Sequence, residues 1–541
     1  MITSFFKMLR NEFSGYSVAL LGRDFAAGVT VAAVALPLAL AFGVGCGADA
    51  AAGLITAIIA GLVMSLLSGA SFQISGPTGA MTAVLALIVA RYGIQGVFIV
   101  CFLAGIILLL LGLFKLGKLI SLIPSPVIAG FTSGIAIIIA LGQIDALFGT
   151  VSSGHTAITR LLSYFELGFH VNFASLGVGL LVMAIMIFWP KKLAQKAPSS
   201  LVAIVVATAV SEFFALDTAV VGAIPRTLFP ESRLSFSAVE WISFVDFLSP
   251  AFTVATLGMI ESLLCGASAS QMVEGSSFDA DQELVAQGVG NILIPFFGGV
   301  PATAAIARTS VAIKSGCVTR LTGVFHALGL LASMFLLSDV MSRLPLSALA
   351  GVLMMTAWRM NDWVAIKKLF NSKFKSAIVS FVATMVCTVI FDLTVAIVIG
   401  IELAIIFFVA KAVAIDVNLS KVTNDRLTSS EANVESKHNN AYVIYVTGVL
   451  FFSNVSVFKE KISLPDDVSE VIFSLRGVPV IDFVGAQTFI DEVNRLRAKD
   501  IKVFVCGAQP RVKATLERCD VYSTVPERCF FWSVDKALLD Q

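Results

Sequence analysis

The chain has 541 residues, of which 57% are hydrophobic and 13% charged, with a mean hydropathy of +0.92. This composition excludes the soluble classes and predicts a polytopic membrane protein. A net charge of +1 leaves no basic field for nucleic acid, and none of the eight cysteines are spaced as metal ligands, so they read as reduced packing residues.

In chain order, residues 1–19 form a short N-terminal segment with no cleavable signal pattern; the first spanning segment is expected to target the chain. Residues 20–415 hold the apolar runs, near 25–45, 50–69, 76–91, 93–114, 120–144, 173–190, 200–216, 247–271, 284–298, 301–314, 320–338, 344–358, 375–391 and 393–413. Fourteen spans place both ends on one side. Lys7, Arg10, Lys115, Lys118, Lys191, Lys192, Lys196, Lys314, Arg320, Arg359, Lys367, Lys368 and Lys411 fall on the side of the N-terminus, so both termini are expected in the cytoplasm. Segments 156–167 and 361–371 are amphipathic and suit the membrane interface.

Two of the fourteen runs are too short to cross. Pro77 to Arg91 is 15 residues and Pro301 to Lys314 is 14. As helices they would cover roughly 21–22 Å at about 1.5 Å per residue, against about 30 Å of hydrocarbon. Each must begin inside the bilayer, with Pro77 or Pro301 at its first helical position. The unpaired N–H groups of such a start need a polar cavity, and two facing starts make an anion site. Gly76, Gly79, Gly298 and Gly299 let the backbone approach a ligand, and Thr78 and Thr303 add hydroxyls.

The two prolines are 224 apart. The stretches beginning at Pro124 and Pro345, 221 apart, share a P-x-x-x-x-A-G frame. Two near-equal offsets predict two halves of seven segments, and an odd number inverts the second half relative to the first.

Two charged positions bear on chemistry. Arg308 lies seven residues into the second short segment, where a buried guanidinium should face a cavity and add positive potential behind an anion, or else form a structural ion pair. Glu261 stands midway along an apolar segment, in Leu-Gly-Met-Ile-Glu-Ser-Leu-Leu-Cys. Burial disfavours its charged form, which suits a proton carrier; the alternative is a fixed structural carboxylate. Asp24, Asp145, Asp392 and Glu402 sit nearer segment ends and read as interfacial or structural, and His326 as a packing residue.

Residues 416–439 form a polar linker. Beyond it, strand patterns at 442–447, 471–475 and 501–506 alternate with helical patterns at 485–498 and 509–518, so 440–541 reads as a small α/β domain. No nucleophile–base pair, metal cluster or phosphate loop points to an enzyme.

The chain resembles the sulfate permease (SulP/SLC26) family over nearly its whole length. The matching stretches are Ala35-Leu-Pro-Leu-Ala-Leu-Ala, Ser75-Gly-Pro-Thr-Gly, Gly130-Phe-Thr-Ser-Gly, Glu261-Ser-Leu-Leu and Ala304-Ala-Ile-Ala-Arg-Thr-Ser. The C-terminal part is similar to a STAS domain, through Gly448-Val-Leu-Phe-Phe-Ser-Asn and Ile481-Asp-Phe-Val-Gly. The resemblance implies a 7+7 inverted repeat with core and gate domains, a homodimer in the cell (inner) membrane and elevator-like alternating access. It implies an anion site between the third and tenth segments at Pro77, Thr78, Gly79, Ala302, Thr303 and Ala304, lined by Pro37 and Phe42, and a coupling carboxylate at Glu261.

Three departures narrow this. Leu38 stands where many members have glutamine, which makes the pocket less polar. Glu261 and Cys265 stand where sodium-coupled members have aspartate and threonine; a thiol is a poor ligand for a hard cation, so protons rather than sodium are the expected coupling ion, with no other cofactor. Val484 stands where phosphorylated STAS domains have serine, which leaves the domain's cytoplasmic partner unknown. The Glu261 and Arg308 stretches are most similar to the bacterial subgroup that imports C4-dicarboxylates with protons, which gives the substrate order C4-dicarboxylate, sulfate, bicarbonate. A sodium-coupled symporter and a passive channel or exchanger on the same scaffold are the alternatives.

Overall fold

The computed structural model describes residues 2–118, 124–153, 157–190, 198–222, 224–235, 245–270, 272–273, 278–391, 393–412, 415–422, 440–465 and 467–539. Lys191, Lys192, Lys196, Asp392 and most of the expected linker lie outside these. The chain divides into two compact units, Met1–Glu402 and Leu403–Gln541.

The first unit is helical. Its elements are α1 (Ile2–Glu12), α2 (Val18–Gly45), α3 (Ala50–Leu67), β1 (Ser75–Gly76), α4 (Gly79–Leu113), α5 (Ser125–Gly142), α6 (Ile144–Phe148), α7 (Ala157–Leu167), α8 (Phe173–Phe188), α9 (Ser199–Phe213), α10 (Leu248–Ser270), α11 (Ala280–Leu293), β2 (Thr303–Ala304), α12 (Ile306–Lys314), α13 (Leu321–Leu336), α14 (Ser338–Ser342), α15 (Leu346–Met360), α16 (Trp363–Asn371), α17 (Lys375–Ile390) and α18 (Leu393–Ala412), whose end enters the second unit. Helices occupy all fourteen expected segments: α4 supplies two, because Gly93 takes φ 68°, ψ −175° and breaks it. Such a backbone suits glycine. Among the described residues, five helices are long and apolar enough to cross a membrane unaided, and four shorter apolar ones accompany them. The amphipathic stretches form α7 and α16.

The repeat is visible in packing. Pro124 and Pro345 both occupy the N-cap position, of α5 and α15. The glycines of their shared frame lie in helix crossings. A Cβ on Gly130 would stand 2.4 Å from the Phe381 carbonyl of α17, and one on Gly351 would stand 2.7 Å from the Gly179 carbonyl of α8. Segment 5 thus crosses segment 13 as segment 12 crosses segment 6, which is the exchange that two equivalent halves require.

Segment ends are tied by polar groups. Asp24 accepts hydrogen bonds from Tyr16, from the Val318 and Thr319 N–H groups and from the Thr319 and Thr322 hydroxyls. Asp145 accepts from Ser152 and Tyr164. Both are structural, as the sequence implied. The Glu12 carboxylate pairs with Arg320 at 2.8 Å, with the two side chains 5% and 1% exposed.

The second unit holds a five-stranded sheet in the order β3 (Asp416–Lys421), β4 (Ala441–Thr447), β5 (Glu470–Gly477), β6 (Lys502–Cys506) and β7 (Phe530–Phe531). Only the β3–β4 pairing is antiparallel. Polar residues 416–421, placed in the linker by composition, are instead this edge strand. Their alternation was too polar to read, yet Val417 turns inward to the core of Ile444, Phe473 and Phe489. Among the described residues, four helices of four or more residues accompany the sheet between its strands: α19 (Val455–Lys461), α20 (Phe483–Arg497), α21 (Pro510–Arg518) and α22 (Val521–Thr524), with α23 (Val534–Leu539) last. Burial pushes the Cys506 thiol up to about 12, so this sulfur stays protonated.

Candidate anion site

The two short segments meet. Ser75 pairs with Ala304 and Gly76 with Thr303 in an antiparallel two-residue ladder, and the Ala305 N–H donates to the Ile74 carbonyl at 3.1 Å. Antiparallel pairing is the orientation that inverted halves demand. It also changes where the helices begin. Neither proline holds the first helical position: Thr78 caps α4, which starts at Gly79, and Ala305 precedes α12, which starts at Ile306. In the second segment the ladder takes Thr303 and Ala304, between Pro301 and its helix; in the first it ends at Gly76, and Pro77 is left outside the helix by the Thr78 cap. Helix α12 therefore has 9 residues, and Arg308 is its third residue rather than its eighth.

Glu261 of α10 stands between the two segments. Its Oε2 accepts from the Thr78 hydroxyl at 2.8 Å and from the Thr303 hydroxyl at 2.7 Å. Thr78 Oγ1 also receives the Met81 N–H at 3.4 Å and so closes the N-terminus of α4. Thr303 has no capping duty, because it sits in β2. The next residue after Glu261, Ser262, receives the Ala304 N–H at 3.1 Å, and its carbonyl receives the Gln73 amide at 2.8 Å. Helix α10 is thus fixed to both short segments.

Arg308 is 1% exposed. Its Nη2 donates to the Pro77 carbonyl, and its Nη1 has no hydrogen-bond partner among the described residues. A Cβ on Gly76 would stand 2.1 Å from Nη1, so glycine there admits the guanidinium. The alternative reading of Arg308, an ion pair with a carboxylate, has no counterpart among the described residues, where Nη2 is held by a backbone carbonyl.

The remaining expected positions divide. Ala302 donates its N–H to Asn291 at 2.8 Å and accepts from the same side chain at 3.0 Å. A Cβ on Gly79 would meet Ile139 at 2.9 Å and Phe42 at 3.3 Å, which puts the Phe42 ring at the start of α4. Pro37 is buried inside α2, five residues before Phe42. Cys265 turns its thiol to the Thr309 hydroxyl at 3.4 Å, and that hydroxyl also accepts the Ile74 N–H at 3.1 Å.

A second tier of polar groups was not read from the sequence. The Thr56 hydroxyl bridges the Val300 N–H at 2.7 Å and the Val300 carbonyl at 3.0 Å. The Gln287 amide donates to Ser75 at 2.8 Å and to Glu283 at 2.7 Å, and Glu283 also accepts from Ser68 and the Gly69 N–H. The available signal was the spacing Glu283, Gln287, Asn291, one polar side chain per turn along an otherwise apolar segment. Polar groups buried in this way need partners, and here the partners are the backbone and side chains of the broken segments.

Comparison with known proteins agrees with this architecture. Residues 21–384 match the sulfate permease family and residues 432–537 the STAS domain. The chain is 31% identical to the putative sulfate transporter YvdB of Bacillus subtilis over 96% of its length and 98% of that protein's. It is 29% identical to the bicarbonate transporter BicA of a Picosynechococcus species, over 95% and 94%. The solved structure of SLC26A9 superposes with a TM-score of 0.82 at 18% identity, covering 98% of this chain and 91% of that one.

Proposed function

The chain belongs to the sulfate permease family of membrane anion transporters, not of enzymes, and from that premise we propose that it drives anion uptake with protons. The carrying observation is the pair of hydroxyls converging on one oxygen of Glu261. The anion docks at the starts of α4 and α12, over Thr78, Gly79, Thr303 and Ala304, beside Phe42, with Pro37 shaping α2 behind it and the Arg308 charge at its back.

Proton counting gives the coupling. Each threonine hydroxyl has one proton. With Glu261 charged, both protons are committed to its Oε2, and a negative charge faces the arriving anion. When Glu261 binds a proton, it donates to one threonine oxygen. That threonine's own proton is released to donate to the anion, and the repulsion disappears. Anion and proton therefore enter together. The core elements then shift against the gate, elevator-like, and both leave to the cytoplasm, where both termini lie. In this reading the protein is a homodimer of the cell (inner) membrane.

The substrate order is C4-dicarboxylate, then sulfate. A second reading is a sodium-coupled symporter of bicarbonate or sulfate; the similarity to the bicarbonate transporter BicA favours bicarbonate as its substrate, while the engagement of the Cys265 thiol with Thr309 argues for protons rather than sodium. The test is uptake of labelled succinate, sulfate and bicarbonate into proteoliposomes with an alkaline interior, with and without sodium. Sodium-free accumulation above equilibrium supports the proposal. Accumulation only with sodium overturns it.

A further inference from the structure

Away from the anion site, a cavity of about 380 Å³ opens between α5, α15, α16 and α17, within the range of small-ligand sites. Its wall includes Ala136, Ala140, Trp358, Trp363 and Phe381, and one buried polar atom, Ser133 Oγ, that has no hydrogen-bond partner among the described residues. The two indoles lie against each other with ring centroids 4.5 Å apart, and the Trp363 N–H donates to the Trp358 carbonyl at 3.1 Å. They are 61% and 39% exposed, so one edge of the cavity opens outward.

Helix α16 carries two chemistries. Its Trp363 and Ile366 line the cavity. Lys367 and Lys368 follow at once, and Lys373 and Lys375 come just beyond the helix; all four lysines are exposed. Tryptophans at a membrane interface followed by a cluster of four lysines match the two parts of a phospholipid, an apolar chain and an anionic head.

We propose that this cavity is a binding site for an anionic phospholipid, with an acyl chain against Ala136, Ala140 and Phe381 and the phosphate on Lys367 and Lys368. A hydroxyl at Ser133 supplies the donor that a lipid ester carbonyl needs. Because α16 joins α15 to α17, the lipid braces two spanning helices of the same half. The choice of a lipid over a soluble anion follows from the apolar wall, which would leave a free phosphate without partners on one side.

The test is native mass spectrometry of the purified full chain with equal amounts of phosphatidylglycerol and phosphatidylcholine. Phosphatidylglycerol is expected to be retained in preference, and K367Q/K368Q to reduce that preference by about fivefold per lysine removed. Ala140→Phe fills the cavity and is expected to lose the lipid, while a monodisperse elution and unchanged helical content show that it folds. Glycerol phosphate in excess is expected not to displace the lipid. Equal retention of the two lipids by the unaltered protein, undiminished retention by Ala140→Phe, or displacement by glycerol phosphate would each overturn the assignment. The lysine pair is exposed, so its substitution tests the head-group contact even if the filled cavity disturbs folding.

Discussion

Thr78 and Thr303 are 225 positions apart in the chain, yet their hydroxyl oxygens stand 3.5 Å from each other across the meeting point of the two halves. Only one of them also caps a helix. That asymmetry separates coupling from stability. A hydrogen bond to a charged group contributes about 1.5–3 kcal/mol, so Thr303→Val should lower proton-driven uptake by about tenfold to a hundredfold and lower the melting temperature only through the lost bond to Glu261. Thr78→Val should lower uptake comparably and, by removing the cap, also cost about 0.5–2 kcal/mol of stability. Uptake assays beside thermal unfolding in detergent check both. Equal melting for the two variants would remove the distinction drawn between the threonines.

Glu261→Gln keeps the shape of the carboxylate and removes its charge and its exchangeable proton. The amide oxygen still accepts from the threonines. Accumulation against a gradient should vanish, while downhill exchange of labelled for unlabelled anion persists and loses its dependence on pH. The sign follows from the proton count: the native protein is helped by acid on the side from which anion enters, and the variant behaves as though permanently protonated. Uphill uptake at the native rate would sink the coupling role.

The Glu12–Arg320 pair joins the N-terminal helix to the start of α13. The guanidinium also donates to the Leu66 carbonyl at 2.7 Å, so it is held where water does not reach. Removing one partner of a buried pair leaves the other uncompensated, at about 3–5 kcal/mol. Glu12→Ala should therefore destabilise the membrane unit strongly, whereas Glu12→Gln, which still accepts hydrogen bonds, should cost less. Thermal unfolding of both variants, with expression level as a second readout, checks the ranking.

In the second unit, Asp482 caps α20, accepting the Gly485 N–H at 2.7 Å and the Phe452 N–H at 3.1 Å. Asp482→Ala should cost about 0.5–2 kcal/mol. Val484, the second residue of the same helix and 41% exposed, takes no part in that cap, and Val484→Ser should stay within about 0.5 kcal/mol. Denaturant unfolding of the full chain, followed by a probe attached in the second unit, reads both.

What the sequence disclosed follows from the physics that produces each signal. Spans are written as length and hydropathy, which is why the fourteen segments fell where helices form. Broken segments are written as spans that are too short, and the repeat as paired offsets. The Gly76–Thr303 ladder left no such mark, because two residues are too few to show a period. Reading proline as a helix start was locally sound, but at Pro301 it lost to pairing between residues more than 200 positions apart and at Pro77 to the cap that Thr78 supplies. For the same reason β3 was hidden: an exposed edge strand keeps polar side chains, and only its partner β4 reveals it. Glu261 stood out as a charge among apolar residues, whereas Gln287 and Asn291 did not, since amides depress hydropathy less.

Arg308 offers the last separation, between charge and geometry. Its Nη2 holds the Pro77 carbonyl, and its Nη1 stands against Gly76 with no partner among the described residues. If the residue acts by positive potential behind the anion, Arg308→Lys keeps most of the effect, although lysine lacks the planar fork. Arg308→Gln keeps donor groups and loses the charge. We expect the lysine variant to retain kcat/KM within about tenfold and the glutamine variant to fall by about a hundredfold, a difference of roughly 1.4 kcal/mol per decade. The loss should be carried by KM at low ionic strength, because an anion is bound less well by a neutral site. A glutamine variant as active as the lysine variant would make Arg308 a structural strut for the Pro77 carbonyl and leave the anion to the helix starts alone.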